Sequence, residues 1–293
     1  DQLAKVYESY EVVGHITQKA SEDTGLPVSV KVIAGGGDQA VGAVGTGTVG
    51  HGMCSISLGT SGAVFIASRE FAVDENNSLH SFADASGKYH FMGCMLSAAA
   101  SNKWWMDEII GTKDYAGQQA AITALGENKV YFLPYLMGER TPHNNPNARG
   151  TFTGLSMDTT RADMTQAVLE GVAFALRDSV EIAKGLGVSI DRIRINGGGA
   201  KSPLWCRIMA NVLNVKVDKI NSEEGPGFGA AILAAVGCGV FSSVEEACGK
   251  LIQVVSTTEQ DPELVEKYNK KYEVFRALYP AMKDVFDVMA GAE

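Results

Sequence analysis

Three apolar runs in this chain end in glycine-dense turns: "GGGD" at 35–38, "LGTSG" at 58–62 and "NGGGAKS" at 196–202. A strand feeding such a turn leaves bare backbone amides facing outward, where they suit anionic oxygens. Strands at 28–34, 53–68 (two runs around a Gly-Thr-Ser-Gly turn), 88–96, 192–196 and 215–219 alternate with helical stretches at 39–44, 97–110, 161–185, 201–213, 226–238 and 262–289. Alternation of that kind predicts an α/β sandwich. Thr160 is placed to cap the long helix at 161–185. Residues 1–27 read as polar and helical, with Gly25 and Pro27 as stop signals.

The first turn admits two readings. Gly35, Gly37 and Ala40 satisfy the dinucleotide fingerprint G-x-G-x-x-G/A after a strand. That fingerprint expects an acid about twenty residues on to hold a ribose, and no Asp or Glu occurs between Gln39 and Arg69. A carboxylate at Asp38 would also repel a pyrophosphate beside it. The alternative is that the glycines clear space around Asp38 so that a reacting group can reach it. "GGGAKS" is not a P-loop, because that pattern needs glycine at Ile195 and Ala200. Lys201 therefore reads as a solvated residue at a helix start.

Bulk properties narrow the partners. With 293 residues, 45% hydrophobic and 20% charged, the chain has the composition of a soluble globular protein. A formal charge of −9 argues against nucleic acid or an anionic membrane as partner, while backbone amides can still hold a nucleotide locally. Five cysteines without zinc spacing predict buried thiols in a reducing cytosol. No metal-ligating cluster stands out. No apolar run is long enough to span a membrane, and no signal peptide opens the chain, so a cytoplasmic location is expected. The loop 137–150, "MGERTPHNNPNARG", carries Glu139, Arg140 and His143. It reads as an exposed connection rather than a charged active centre. Trp104 and Trp105 read as core or interface.

Taken in order, "GGGDQAVGAVGTG", "SISLGTSGAVF", "GCMLSAAASNKWW", "YLMGERTPHNNPNARGTFTGL", "AVLEGVAFALRDS" and "INGGGAKSPLWCRIMANVL" closely resemble the FGGY family of carbohydrate kinases. The resemblance runs from about Val28 to beyond Ala235. It implies an actin-like, ribonuclease H-like fold in which a mixed sheet is flanked by helices. It also implies ATP-dependent phosphorylation of a pentulose, D-xylulose foremost, with L-ribulose, gluconate or another polyol as alternatives. ATP and Mg2+ follow as cosubstrate and metal. A non-catalytic actin-like module that binds nucleotide is the reading from another class, and an acid at Asp38 speaks against it.

By the same resemblance Asp38 is the catalytic base and Gln39 touches the sugar. Gly59, Thr60, Ala99, Lys103, Gly198, Gly199 and Ser202 fall at nucleotide-lining positions. Glycerol kinases carry glycine, glutamine and asparagine where this chain has Ala99, Lys103 and Ser202. The stretch 225–235 matches a glycine-bearing helix whose small residues serve packing. Residues 1–45 correspond to the end of the family's N-terminal domain, and 46–293 to its nucleotide-binding C-terminal domain. The chain starts at Asp1 and lacks the family's opening motifs, so the expectation is a fragment that binds nucleotide weakly and does not phosphorylate sugar alone. The remaining N-terminal domain is then its partner, and a homodimer is suggested by analogy alone.

Overall fold

The computed structural model describes residues 3–222 and 225–291. Strand β1 (Val12–His15) pairs antiparallel with β2 (Lys31–Ile33), and α1 (Gln18–Thr24) lies between them. The helical reading of 1–27 thus holds only for 18–24, and residues 1–2 lie outside the described residues. Adjacent β-branched Val12 and Val13 favour the extended pairing. Thr17 opens α1 by accepting from Ala20 N, and Gly25 closes it at φ 74°.

Helix α2 (Asp38–Gly45) follows, then β3 (Cys54–Leu58), β4 (Gly62–Ser68), β5 (His80–Ala83) and β6 (Tyr89–Met95). Next come α3 (Ala99–Trp104), which runs on as a π-helical turn at Trp105–Ile110, and α4 (Tyr115–Ala120). Strands β7 (Tyr131–Leu133) and β8 (Thr151–Thr153) form a small antiparallel pair. The 25-residue α5 (Arg161–Gly185) starts at a reciprocal Thr160–Asp163 capping box. It is followed by β9 (Arg192–Asn196), a 3-10 turn at Gly198–Lys201, α6 (Pro203–Leu213), β10 (Lys216–Ile220), α7 (Gly225–Gly237), α8 (Val244–Leu251), β11 (Val254–Thr258) and α9 (Pro262–Gly291).

Seven strands make one mixed sheet in the order β11-β10-β9-β3-β4-β6-β5. The meander β3-β4-β6-β5 is antiparallel, whereas β9 runs parallel to β3 and β10 parallel to β9. An antiparallel hairpin extended by parallel strands on its other side is the ribonuclease H-like arrangement the sequence leads one to expect. Along β4 the faces alternate. Val64 and Ile66 join the main core with Leu169, Val172 and Phe174 of α5 and Ile208 of α6, and α9 adds Tyr268 and Phe275. Phe65 and Ala67 meet Ala43 of α2 on the opposite face.

Helices α2 and α7 cross at backbone contact. A Cβ built on Gly229 would lie 1.9 Å from the Val41 carbonyl oxygen, and one on Gly45 would lie 1.8 Å from that of Gly225. The packing role expected of 225–235 is what these distances describe. The loop 137–150 departs from expectation, because Glu139, Thr141, Asn145 and Ala148 are all buried. Several of its polar groups are hydrogen-bonded inside the fold. Glu139 and Asn145 exchange backbone hydrogen bonds, and Thr141 Oγ1 accepts from Cys94 N while donating to Ser78 O. Cys54, Cys206 and Cys248 are buried as expected, Cys94 is half-buried, and Cys238, just past the end of α7, is exposed.

Candidate functional site

The parallel pairing of β3 with β9 sets Ser57 opposite Asn196, so both strands deliver their glycine turns to one edge of the sheet. The turns touch. Gly197 has φ 86°, and a Cβ there would sit 2.7 Å from the Leu58 carbonyl carbon. No other residue fits that approach without strain. Gly199 is equally confined, 2.5 Å from Leu58 Cδ2 and 2.9 Å from the Trp205 ring, whereas a Cβ on Gly198 meets nothing within 4 Å. On the other side, the amides of Ala98 and Ala99 donate to Thr60 O and Gly59 O at 3.0 and 2.8 Å, which lays the start of α3 across the first turn. Ser202 caps α6 by accepting from Trp205 N at 3.0 Å.

These pieces enclose a cleft of about 750 Å³, within the range that holds nucleotide-sized ligands. Gly59, Thr60, Ala99, Lys103, Gly198, Gly199 and Ser202 all line it. Seven positions drawn from three separate stretches of sequence thus converge on one concavity. Its walls are largely alanine, proline and the Trp205 ring, and its charged side chains are Lys103 and Lys201. Among the described residues no carboxylate lines it. Lys103 bridges to Asp107 one helical turn on, and the Asp107 hydrogen bond holds the Lys103 pKa above its ordinary value. Lys201 is exposed, as its place at a helix start predicts.

Asn102, Tyr115, Gln119 and Trp205 are among the wall residues that escaped the sequence reading. Tyr115 and Gln119 sit on α4, a six-residue helix with no apolar periodicity. Its one legible signal is Asp114, whose Oδ1 accepts from Gly117 N at 2.8 Å as an N-cap. Trp104 packs against Phe132, and Trp105 is buried with its indole N–H donating to Thr165 Oγ1. Both serve the core.

Asp38 and Gln39 stand outside the cleft wall, exposed in the first turn of α2. Asp38 Oδ1 accepts from Gln39 N at 2.9 Å, and a carboxylate in the first helical turn is favoured by the helix dipole. The far end of α2 is tied to the sheet, since Arg194 of β9 donates to Thr46 O. The strongly perturbed acids lie elsewhere. Burial raises Glu139 to about 8 and Asp178 to about 7. Asp178 accepts from Tyr272 OH in a second cleft of about 1020 Å³ that also includes residues of α9. The first cleft offers no carboxylate among the described residues to hold the Mg2+ that the resemblance implies. Among the described residues no three His, Cys, Asp or Glu groups could hold a metal ion.

A mixed sheet of this order with helices on both faces is the actin-like fold of sugar kinases. Residues 54–238 match the C-terminal domain of the FGGY family of carbohydrate kinases, and the chain belongs to that family. It is 36% identical to the xylulose kinase of Staphylococcus epidermidis over 281 residues, 95% of this chain and 57% of that protein. It is likewise 36% identical to the xylulose kinase of Escherichia coli over 283 residues, 95% of this chain and 58% of the other. A crystal structure of a xylulose kinase from Brucella ovis superposes with a TM-score of 0.90 at 35% identity, covering 97% of this chain and 59% of that one. The chain therefore spans somewhat more than half the length of the relatives it matches. No helix among the described residues is long and apolar enough to cross a membrane.

Proposed function

We propose that this chain serves an ATP-dependent pentulose kinase, with D-xylulose as the sugar and D-xylulose 5-phosphate as the product. Residues 46–293 supply the nucleotide side, and residues 1–45 carry the catalytic Asp38. The observation that carries the reading is the convergence of all seven expected nucleotide residues on one cleft. Phosphoryl transfer requires little covalent chemistry from the protein beyond positioning and charge neutralisation. The glycine turns approach the phosphates through backbone. The sugar hydroxyl oxygen attacks the γ-phosphorus, Asp38 takes the hydroxyl proton, and the bond to the bridging oxygen breaks to release ADP. Gln39 hydrogen-bonds the sugar beside it. The exposure of Asp38 supports this role, because a base sealed in packing could not meet a substrate.

Calorimetric titration of residues 1–293 with ADP tests the nucleotide half, with saturable one-site binding expected. No heat at millimolar ADP would refute it. For the sugar half, ADP release is coupled to a dehydrogenase in the presence of D-xylulose, L-ribulose or gluconate. D-xylulose is expected to give the highest kcat/KM in the sugar-phosphorylating enzyme. Asp38→Asn there should lower kcat by roughly 10²–10⁴-fold with ATP affinity nearly unchanged. An unimpaired variant would remove Asp38 from the mechanism.

A further inference from the structure

The cleft contains a hydrogen-bonded pair of side chains that the family resemblance does not assign. Gln119 of α4 and Ser202 at the start of α6 are 83 residues apart, and their side chains meet at 2.6 Å. That separation fixes the direction of the bond. O–H···O bonds centre near 2.7–2.8 Å and N–H···O bonds nearer 2.9–3.0 Å, so Ser202 Oγ–H donates to Gln119 Oε1. Ser202 Oγ also accepts from Trp205 N at 3.0 Å. The serine hydroxyl is thus committed on both sides to the protein. The Gln119 amide nitrogen, by contrast, donates to no protein atom among the described residues, and Gln119 is a lining residue of the cleft.

We infer that Gln119, held in one orientation by Ser202, is the residue of this cleft that reads the nucleotide base, presenting two N–H donors to a ring acceptor. This rests on the nucleotide reading proposed above. It places base recognition on a side chain of another element, and makes Ser202, which the resemblance gives as nucleotide-lining, a positioning residue. A donor-only amide matches an acceptor that adenine and guanine share, such as the purine ring nitrogens N3 and N7. The lining also includes Ala99, Ala100, Ala116 and Pro203, which offer side-chain contact but no hydrogen bond. Within the ATP-binding reading the acceptor is one that adenine and guanine share, so the two are weakly separated.

The test is calorimetric titration of the unaltered chain and three variants with ADP, GDP and CDP. The unaltered chain should bind ADP and GDP within about tenfold of each other. Gln119→Leu removes the donor at similar volume and should weaken both purines by about three- to tenfold, the worth of one neutral hydrogen bond. Ser202→Ala frees the amide and should weaken both similarly, while Ser202→Thr, which keeps the hydroxyl, restores binding. Circular dichroism melting shows whether each variant is folded. If Ser202→Ala unfolds, Gln119→Leu alone decides, since the exposed α4 has little part in the core. Unaltered ADP affinity in folded Gln119→Leu would overturn the inference and leave the nucleotide reading standing. Failure of the unaltered chain to bind ADP would overturn both.

Discussion

Glu139 offers a test of the fold at the place where sequence expectation and structure differ most. The residue is 2% exposed, and Oε1 accepts from Leu96 N at 3.1 Å and Arg140 N at 2.7 Å. Oε2 is buried and has no partner. Burial raises the pKa from 4.5 to about 8, with the nearby Asp178 adding to the rise and the two backbone donors opposing it. Above its ordinary pKa the unfolded chain has lost this proton while the folded chain keeps it. Folding therefore takes up a proton, and the linkage slope is negative: stability is greatest below about pH 4.5 and falls as pH rises toward 8. At about 1.4 kcal/mol per unit, the loss between pH 5 and 8 is on the order of 3 kcal/mol. Glu139→Gln keeps the acceptor and removes the charge. The assay is urea unfolding followed by fluorescence of Trp104, Trp105 and Trp205 at pH 5, 6, 7 and 8. Asp178, raised to about 7 by burial, gives a slope of the same sign in both proteins, so the difference between the two curves isolates Glu139. The unaltered chain should lose roughly 3 kcal/mol more than the variant across this range. Parallel curves, within about 0.5 kcal/mol, would show that Glu139 is not buried in the way described.

Other outcomes follow from the same contacts. Gly198→Leu should leave the melting temperature within a few degrees, because a Cβ there meets nothing within 4 Å and the backbone φ is not positive. It should nevertheless fill the cleft and weaken ADP binding by about 30-fold or more by calorimetry, as expected for a hot-spot-sized loss. Gly229→Ala must push α2 and α7 apart by about 1.5 Å, since ordinary contact begins at 3.4 Å and the built Cβ lies at 1.9 Å from Val41 O. Backbone on both sides cannot rotate away, so urea unfolding should show a loss of about 2–3 kcal/mol even after the gain in helix propensity. Cys238 is exposed, while burial pushes the Cys54 thiol far up and that of Cys248 up to about 11. One rapidly reacting thiol with an aromatic disulfide reagent is expected at pH 8, and Cys238→Ser should abolish it.

What the sequence discloses depends on how local each feature is. The strands β3, β4, β6 and β9 are legible because they are apolar and alternate or bury both faces, and β3 and β9 stop at glycine. Gly197 and Gly199 announce themselves because the Leu58 backbone and side chain leave no room for a Cβ. Helix α5 is legible from its period and from Thr160, whose capping bond lies within four residues. By contrast β5, β8 and β11 are three to five residues long and exist through pairing with β6, β7 and β10, so little in their own residues demands a strand. The same holds for 137–150. Its polar composition signals a solvated loop, and partners distant in sequence bring it inside, among them Cys94 and Ser78, 47 and 63 residues away from Thr141.

The candidate site divides along the same line. Its glycine turns are local and were legible. Gln119 was not, because nothing in "YAGQQA" distinguishes Gln119 from Gln118 except the hydroxyl of Ser202 brought against it by the fold. A turn can be selected by the conformation its own residues allow, but a side chain's direction is set by whatever distant group occupies its hydrogen-bonding atoms. The backbone half of such a cleft should therefore be readable from sequence alone, and the half that discriminates between ligands should not. Gln119 and Gly198 separate these two halves experimentally: one substitution should remove a single contact to the base, and the other should decide whether any nucleotide enters.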